Sequence, residues 1–512
     1  MNKKSLFALL AVVGFSLSGW GADQPDSRVR TIVSPTRLVA ASEGLRGTSV
    51  LCGPRFGQVS EGTFLKGSGP ILGKGQWVML DFGRELHGSV QIGSGGRSGR
   101  AAKIRIRLGE SVSEAMSELG ERGACNDHAV RDDVIALPWY GRREFGESGF
   151  RFVRIDNVGT DPVQLEYVRA VSLMRPMKPI GSFRSSDERL NQVFSTAVHT
   201  VHLCCQDFLW DGIKRDRLVW MGDTHPETMS ILAVFGKASV LPRILKTVKP
   251  DGTQTWGGFL DWPTQHNAEA CKEGTCGLLA TTLGDAAEML RVTGDAELAA
   301  QCEAAVKLLK GRKPDPCGSK QAAALLALGG LREPKEMFAE VLGKGGVAGV
   351  STFYGYYMLE AMSAAGEDQR ALDTVRDYWG AMLDMGATSF WEDFNVAWTN
   401  NAFRIDQLPV AGKKDIHGDY GEFCYVGFRH SLCHGWSSGP AAWLINHVLG
   451  ARVTGEGGTE VEVKPFLGTL AWAEGALATA KGPVKIRVDK ASDGTLKVKV
   501  DAPKGVRVRR CP

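Results

Sequence analysis

The stretch SSDERLNQVFSTAVHTV, residues 185–201, decides the fold. Leu190, Val193, Phe194, Ala197, Val198 and Val201 recur at the spacing of an amphipathic helix. Ser185 followed by Glu188 has the capping-box pattern, which predicts a helix start. Upstream the period is different. Val78, Leu80 and Phe82 alternate, as do Ile104, Ile106 and Leu108, and less strictly Phe152, Val153 and Ile155. Short alternating runs between Gly-, Ser- and Asp-rich breaks predict an N-terminal β-sandwich over residues 23–183. Downstream, helical spacing returns over 218–235, 278–292, 298–309, 320–331, 353–364, 371–383 and 441–449. Gly294–Asp295 reads as the stop of one helix and the cap of the next. Paired helices with short turns predict stacked hairpins over 184–448, with an open stack and a closed ring equally allowed by the pattern. Past Gly450 the alternation resumes at Val484, Ile486 and Val488 and at Leu496, Val498 and Val500, with Asp493–Gly494 as the hairpin turn. That predicts a small C-terminal β-domain over 449–512.

The 512 residues are 43% hydrophobic and 23% charged, which excludes a disordered chain and suits several packed domains. Lys and Arg total 61 against 57 Asp and Glu, a net charge of +4 with no footprint for nucleic acid. Lys3 and Lys4 precede the apolar run 6–20, and small residues follow at Gly21 and Ala22. This reads as a signal peptide over residues 1–22, too short for a stable membrane span, and places the protein in the periplasm or the medium. The odd count of 11 cysteines leaves at least one thiol unpaired in a monomer, and their spacing matches no zinc site. Most read as small buried hydrophobes. No metal or cofactor is called for.

The chemistry concentrates in four places. The segment WDGIKRDRLVWMGD, 210–223, holds Asp211, Asp216 and Asp223 among Lys214, Arg215 and Arg217, with Trp210 and Trp220 at its flanks. Asp216 lies just before the helix expected near Leu218, where a carboxylate serves equally well as a cap. FLDWPTQ, 259–265, pairs Asp261 with Trp262. TSFWEDFN, 388–395, sets Glu392 beside Trp391. SLCHGWSSGP, 431–440, holds His434 and Trp436. Singly each is ordinary: His434 fits a structural histidine, Glu392 a solvated acid. Together, three loops pair a carboxylate with a tryptophan and a fourth pairs a histidine with one. Glycoside hydrolysis needs one protonated and one ionised carboxyl across the scissile bond, and indole faces suit the C–H face of a sugar.

At these motifs the chain resembles the bacterial α-L-rhamnosidases of glycoside hydrolase family 78. The resemblance rests on DGIKRDRLVWMGDTHPE (211–227), FLDWP (259–263), ATSFWEDF (387–394) and SLCHGWSSGP with the following WL (431–444). It is supported by DFGRELHGSV (81–90), GFRFVRI (149–155) and VKPFLGTLAWAEG (463–475). It implies an (α/α)6 barrel of six hairpins between an N-terminal and a small C-terminal β-sandwich. It also implies an exported, inverting glycoside hydrolase that releases terminal α-L-rhamnose from glycosides or polysaccharides. The family's general acid is a Glu of the first motif. Its counterpart here is Asp216, in KRDR. The base is the Glu of the Trp–Glu pair, Glu392. The resemblance assigns the sugar hydroxyls to Asp211, Asp223, Asp261 and Trp262 and places His434 and Trp436 on a sugar-facing loop; Arg215, Trp220 and Trp391, in the same motifs, complete the candidate substrate-binding set. The helical region is short for twelve helices, with 310–350 abbreviated. Two other readings stay open: a six-hairpin hydrolase or lyase acting on a different terminal sugar, and a non-catalytic sugar-binding relative.

Overall fold

The computed structural model describes residues 26–54, 69–95, 99–236, 260–422 and 425–511. The expected signal segment 1–22 lies outside them, as do Phe259 and the side chain of Trp262. The N-terminal part is a sheet of eight strands. Its main path runs Val29–Val33, Val163–Met174, Trp77–Gly95, Tyr140–Asn157, Ala102–Gly109, Asp132–Leu137, and Arg37–Ala41 and Ile71–Leu72 pair off that path. Trp77–Gly95 pairs antiparallel with Tyr140–Asn157, with shifts of register after Asp81 and after Gly88. Such shifts bend a strand locally. At Gly88, φ is +149° and a Cβ would stand 2.0 Å from the Val171 carbonyl, so only glycine lets the strands pass. The alternating residues Val78, Leu80, Phe82, Ile104, Ile106, Leu108, Val153 and Ile155 share one buried core, as their period predicts.

The first helix of the helical part is Glu188–Cys204. Its cap is Asp187, which accepts the N–H groups of Arg189 and Leu190, and not Ser185. Ser185 still belongs to the strand Ser182–Ser185, and its hydroxyl accepts the Asp187 N–H instead. The helix expected near Leu218 begins at Met221, with Trp220 at the N-cap position. The Asp211 carboxylate explains the delay. It accepts the N–H groups of Leu218 and Asp216 and holds that stretch as a loop. Asp216 is therefore not a cap. Ala268–Thr293 and Ala296–Lys310 meet at Gly294, φ +91°, with Asp295 capping the second helix through the Leu298 N–H. Lys320–Leu328 and Gly355–Ala364 follow. Asp368–Thr374 runs through a wider turn, Val375–Trp379, into Gly380–Asp384. Pro440–Trp443 does the same into Leu444–Val448.

At the C-terminus Gly482–Lys490 and Leu496–Asp501 form the predicted hairpin, Lys490 opposite Leu496. The strand Ser182–Ser185 pairs with Trp472–Thr479 in that same sheet. Phe183, Leu190, Trp443, Leu477, Val484 and Val488 accordingly belong to a single core joining helices and C-terminal strands. The ten described cysteines are free thiols, and Cys204, Cys205, Cys271 and Cys433 are buried. Among the described residues no helix is long and apolar enough to cross a membrane.

The N-terminal sheet grips the loop that carries Glu392. Arg151 holds Asp81 through two hydrogen bonds of 2.8 and 2.9 Å, and its third nitrogen donates to the Gly386 carbonyl at 2.9 Å. The Glu85 N–H donates to Thr388 Oγ1, and Val112 N–H to the Ile405 carbonyl. Asp81→Ala takes from the buried Arg151 guanidinium its two hydrogen-bonded oxygens and leaves it Asp406, 3.8 Å away, as the remaining carboxylate. The expected cost is about 3–5 kcal/mol, read as a large fall in the thermal midpoint.

Candidate active site

Two loops form the centre of the site, and the backbone binds them to each other. One is 205–220, between Glu188–Cys204 and Met221–Phe235. The other is 387–394. The segment 430–435 lies between them. The Gly435 N–H donates to the Asp211 carbonyl at 2.7 Å, the His434 N–H to the Phe390 carbonyl, and the Glu392 N–H to the Ser431 carbonyl. Gly212 is required at this crossing, because a Cβ there would stand 2.7 Å from the Arg215 carbonyl and 3.1 Å from that of Cys433.

Glu392 is 2% exposed. Its Oε2 accepts the Ser431 N–H at 3.0 Å, and its Oε1 faces Arg215 Nη2 at 3.4 Å. The same Nη2 lies 3.9 Å from Asp216 Oδ1. Two acids far apart in the chain thus face one guanidinium nitrogen. These distances cap the gap between the two facing oxygens at about 7 Å, a limit that admits both the ~6.5–9.5 Å of inverting pairs and the ~5–5.5 Å of retaining ones. The Arg215 guanidinium stacks on the Tyr425 ring at 4.1 Å. Asp216 is the more open of the two acids, its side chain 18% exposed.

Around this pair lies a buried acidic cluster. His434 Nε2 is 3.5 Å from Glu392 and 3.7 Å from Asp211, and its Nδ1 is 3.6 Å from Asp223 Oδ1. Asp223 Oδ1, His434 Nδ1 and Glu227 Oε1 are buried polar atoms with no hydrogen-bond partner among the described residues. Glu227 sits one helical turn after Asp223, against Gly435, where a Cβ would collide with its carboxylate. Burial pushes Asp211, Asp223 and Glu227 well above the usual carboxylate range, and the neighbouring acids add to the rise. Burial holds His434 well below its ordinary value, with Arg215 adding to the fall. Burial also pushes Glu392 up to about 7 against the pull of Arg215 and the Ser431 N–H. Asp393 is pushed to about 7 by the same cause.

The remaining candidates divide. Asp261 is buried, and both its oxygens are taken: Thr264 Oγ1 donates to one and Ser351 Oγ to the other, each at 2.5 Å. Trp220 is 46% exposed, four positions after Asp216 in the same loop. Trp391 and Trp436 are not exposed indoles, contrary to the expectation for sugar platforms. Trp391 is fully buried with its edge against Phe394. Trp436 stacks on Phe353 at 4.4 Å and packs against His434 at 3.9 Å, while its Nε1 donates to the Glu392 carbonyl. It builds the wall behind Glu392. Trp262 opens a short turn, Trp262–Thr264.

Sequence reasoning missed Glu110, Glu114, Glu227, Ser431 and the role of Lys214. Glu110 accepts the Leu432 N–H at 2.7 Å and so fixes the segment whose next residue back, Ser431, donates to Glu392. The partners are 322 positions apart, and no local pattern announces them. Glu110, Glu114 and His417 present donor atoms within 4.8 Å of one another, as a cation site would. That place is filled by the Lys214 ammonium, 3.0 Å from Glu110 and 3.1 Å from Glu114. Burial alone would raise Glu114, yet Arg131 and Lys214 hold it below the usual range.

The model of the bacterial alpha-L-rhamnosidase six-hairpin glycosidase domain matches residues 178–275, which include the first acidic motif. The fold is similar to the family 78 rhamnosidase of Bacillus sp. GL1, with TM-score 0.65, 21% identity, and coverage of 85% of this chain and 53% of that one. It is similar to a rhamnosidase from Klebsiella oxytoca with rhamnose bound, with TM-score 0.63, 18% identity, and coverage of 86% and 97%. It is also similar to the α-L-rhamnosidase of Aspergillus terreus, with TM-score 0.66, 15% identity, and coverage of 97% and 65%. The chain spans about half the length of the Bacillus protein. No curated protein matches it. The resemblance to family 78 rhamnosidases holds: this is a multidomain chain with their fold, sheet and helical parts alike.

The Glu392 environment sets a measurable pH dependence. Folded Glu392 keeps its proton up to about 7, while an unfolded glutamate loses it near 4.5. Its raised value means stability is fully present below the unfolded value and is lost as pH rises through the folded one. The loss is on the order of 3 kcal/mol between about pH 5 and 8. Glu392→Gln removes this part, so urea unfolding at pH 5 and 8 is expected to differ less in the variant than in the parent.

Proposed function

We propose that the protein is an exported, inverting glycoside hydrolase that removes terminal α-L-rhamnose, on a six-hairpin barrel flanked by β-sandwiches. One observation carries the reading: Asp216 and Glu392, far apart in the chain, face one guanidinium nitrogen, and that cation favours the ionised form of Glu392 that a base needs. In the proposed reaction Asp216 gives its proton to the glycosidic oxygen. Glu392 takes one from a water on the opposite face, and the anomeric configuration inverts. Asp211, Asp223 and His434, with Glu227, receive the sugar hydroxyls, supported by the unpaired atoms of Asp223, Glu227 and His434. Trp220 supports the leaving group.

The acid-rich surroundings favour a neutral sugar over a uronic acid. A uronate would bring a negative charge into a buried set of acids, Asp211, Asp223, Glu392 and Asp393, that burial already drives toward the neutral form, while Arg215 is already shared by two acids. That supports the rhamnosidase reading over a lyase or hydrolase for uronates. One observation favours a non-catalytic sugar-binding protein, the Asp at 216 where the family has Glu.

The expected outcome is turnover of 4-nitrophenyl α-L-rhamnoside, with proton NMR showing β-L-rhamnose as the first product. Glu392→Gln and Asp216→Asn are each expected to lower kcat by ~10²–10⁴-fold. Binding of rhamnose without turnover by the parent protein would support the binding reading. Turnover of other aryl glycosides only would move the substrate.

A further inference from the structure

His128 belongs to none of the motifs that carry the resemblance. It lies in the N-terminal, sheet-rich part, in a loop before the strand Asp132–Leu137, yet its Nε2 reaches to 3.5 Å from Asp216 Oδ1. Both side chains are partly open to solvent, at 27% and 18% exposure. His128 also holds a left-handed backbone, φ +68°, and so does Arg217, φ +63°. The two are tied together, since Arg217 Nη1 donates to the His128 carbonyl at 3.2 Å and to the Glu147 carbonyl at 3.3 Å. Its guanidinium lies over the Trp210 ring. Left-handed backbone at a non-glycine residue is strained, and the partly exposed contact of His128 with Asp216 returns little of that strain. Strain of this kind gathers where a group has to be held in place.

We propose that His128 is a positioning residue that acts through Asp216, holding the carboxyl in place and returning its proton after each turnover. This rests on Asp216 being the general acid. Once Asp216 has protonated the leaving oxygen, its carboxylate takes the proton from Nε2–H of the His128 imidazolium. The neutral imidazole then recovers a proton from bulk water. Over the same cycle Glu392 releases to solvent the proton it took from the attacking water, so the proton balance closes. The other groups facing Asp216 are less suited to this task. Arg215 does not give up its proton. Asp211 is buried and already accepts the Asp216 and Leu218 N–H groups. Glu392 faces Asp216 from across the Arg215 guanidinium. Beside His128, Asp127 is engaged with Arg429 at 3.0 Å.

The test compares aryl α-L-rhamnosides that differ in leaving group, using the full-length parent, His128→Gln and His128→Ala, each checked for its thermal midpoint. The 4-nitrophenyl substrate needs little help from an acid; the phenyl substrate needs much. For both variants kcat on the phenyl substrate is expected to fall about 10–50-fold, a part of the usual general-acid effect. On the nitrophenyl substrate it should change by no more than about 3-fold, with KM unchanged, because the acid's contribution there is small. Added imidazole is expected to restore His128→Ala on the phenyl substrate. An equal fall on both substrates, no fall, or a fall that imidazole leaves untouched would overturn the role of His128. A parent protein inactive on every aryl α-L-rhamnoside would instead overturn the reading of Asp216 and Glu392.

Discussion

The arrangement depends on one buried ammonium. Lys214 sits at 2% exposure between Glu110 and Glu114 and donates to the Phe428 carbonyl at 2.8 Å. An unpaired charge at that depth would cost several kcal/mol, so the ion set forms whole or the local fold does not form. Glu110 and Glu114 come from the N-terminal part, Lys214 from the first acidic loop, Phe428 from the segment leading to His434. Lys214 thereby fixes its neighbours. Arg215 turns toward Glu392 and Tyr425, and Asp216 turns toward the opening. Glu110 also fixes the far side, because its hold on the Leu432 N–H places the Ser431 N–H that steadies Glu392. The sheet is thus a structural member of the site.

The electrostatics follow from that frame. Asp211, Asp223, Glu227, Glu392 and Asp393 are all buried, and burial raises each of them. The Arg215 guanidinium faces Glu392 and Asp216. A chain selected for stability alone would fill such a space with apolar groups. Protonated acids and a neutral imidazole are both donors and acceptors, the combination that sugar hydroxyls match. On the proposed reading, the cost of burying these groups is returned when a ligand supplies their missing hydrogen bonds.

What the sequence revealed and what it concealed divide along the range of the interactions. Helical period marked Leu190, Val193, Phe194, Ala197 and Val201, and all are buried in one core. Alternation marked Val78, Leu80 and Phe82, likewise buried together. Those patterns depend on neighbours three or four residues away, or two. The first turn of the Glu188–Cys204 helix was misread by two residues, because Ser185 is claimed by a strand partner, Ala473, that lies almost three hundred positions later. Asp216 looked like a cap because the competing hold of Asp211 on the Leu218 N–H is a tertiary choice made within a loop. The tryptophans were legible as members of the site and not as surfaces. Whether an indole shows its face or fills a wall depends on Phe353 and Phe394, which the local motif does not contain. Glu110 and His128 had no local signal at all.

The aspartate at 216 carries one methylene less than the family's glutamate, and the backbone around it bears on that difference. Asp211 draws the Asp216 N–H inward at 3.3 Å, and Gly212 permits the close crossing with the Cys433 carbonyl. Arg217 then turns the chain through a left-handed residue that a regular helix start would not contain. Each of these features moves the main chain, and none lengthens the side chain. Their joint effect is that Asp216 Oδ1 comes within reach of the same nitrogen that faces Glu392. On the proposed mechanism the shorter acid is thus compensated through the loop, and its proton supply from outside the helical part, at His128, becomes geometrically possible because the loop is pulled toward the sheet: the Gly149 N–H donates to the Ile213 carbonyl at 3.0 Å, three residues before the acid.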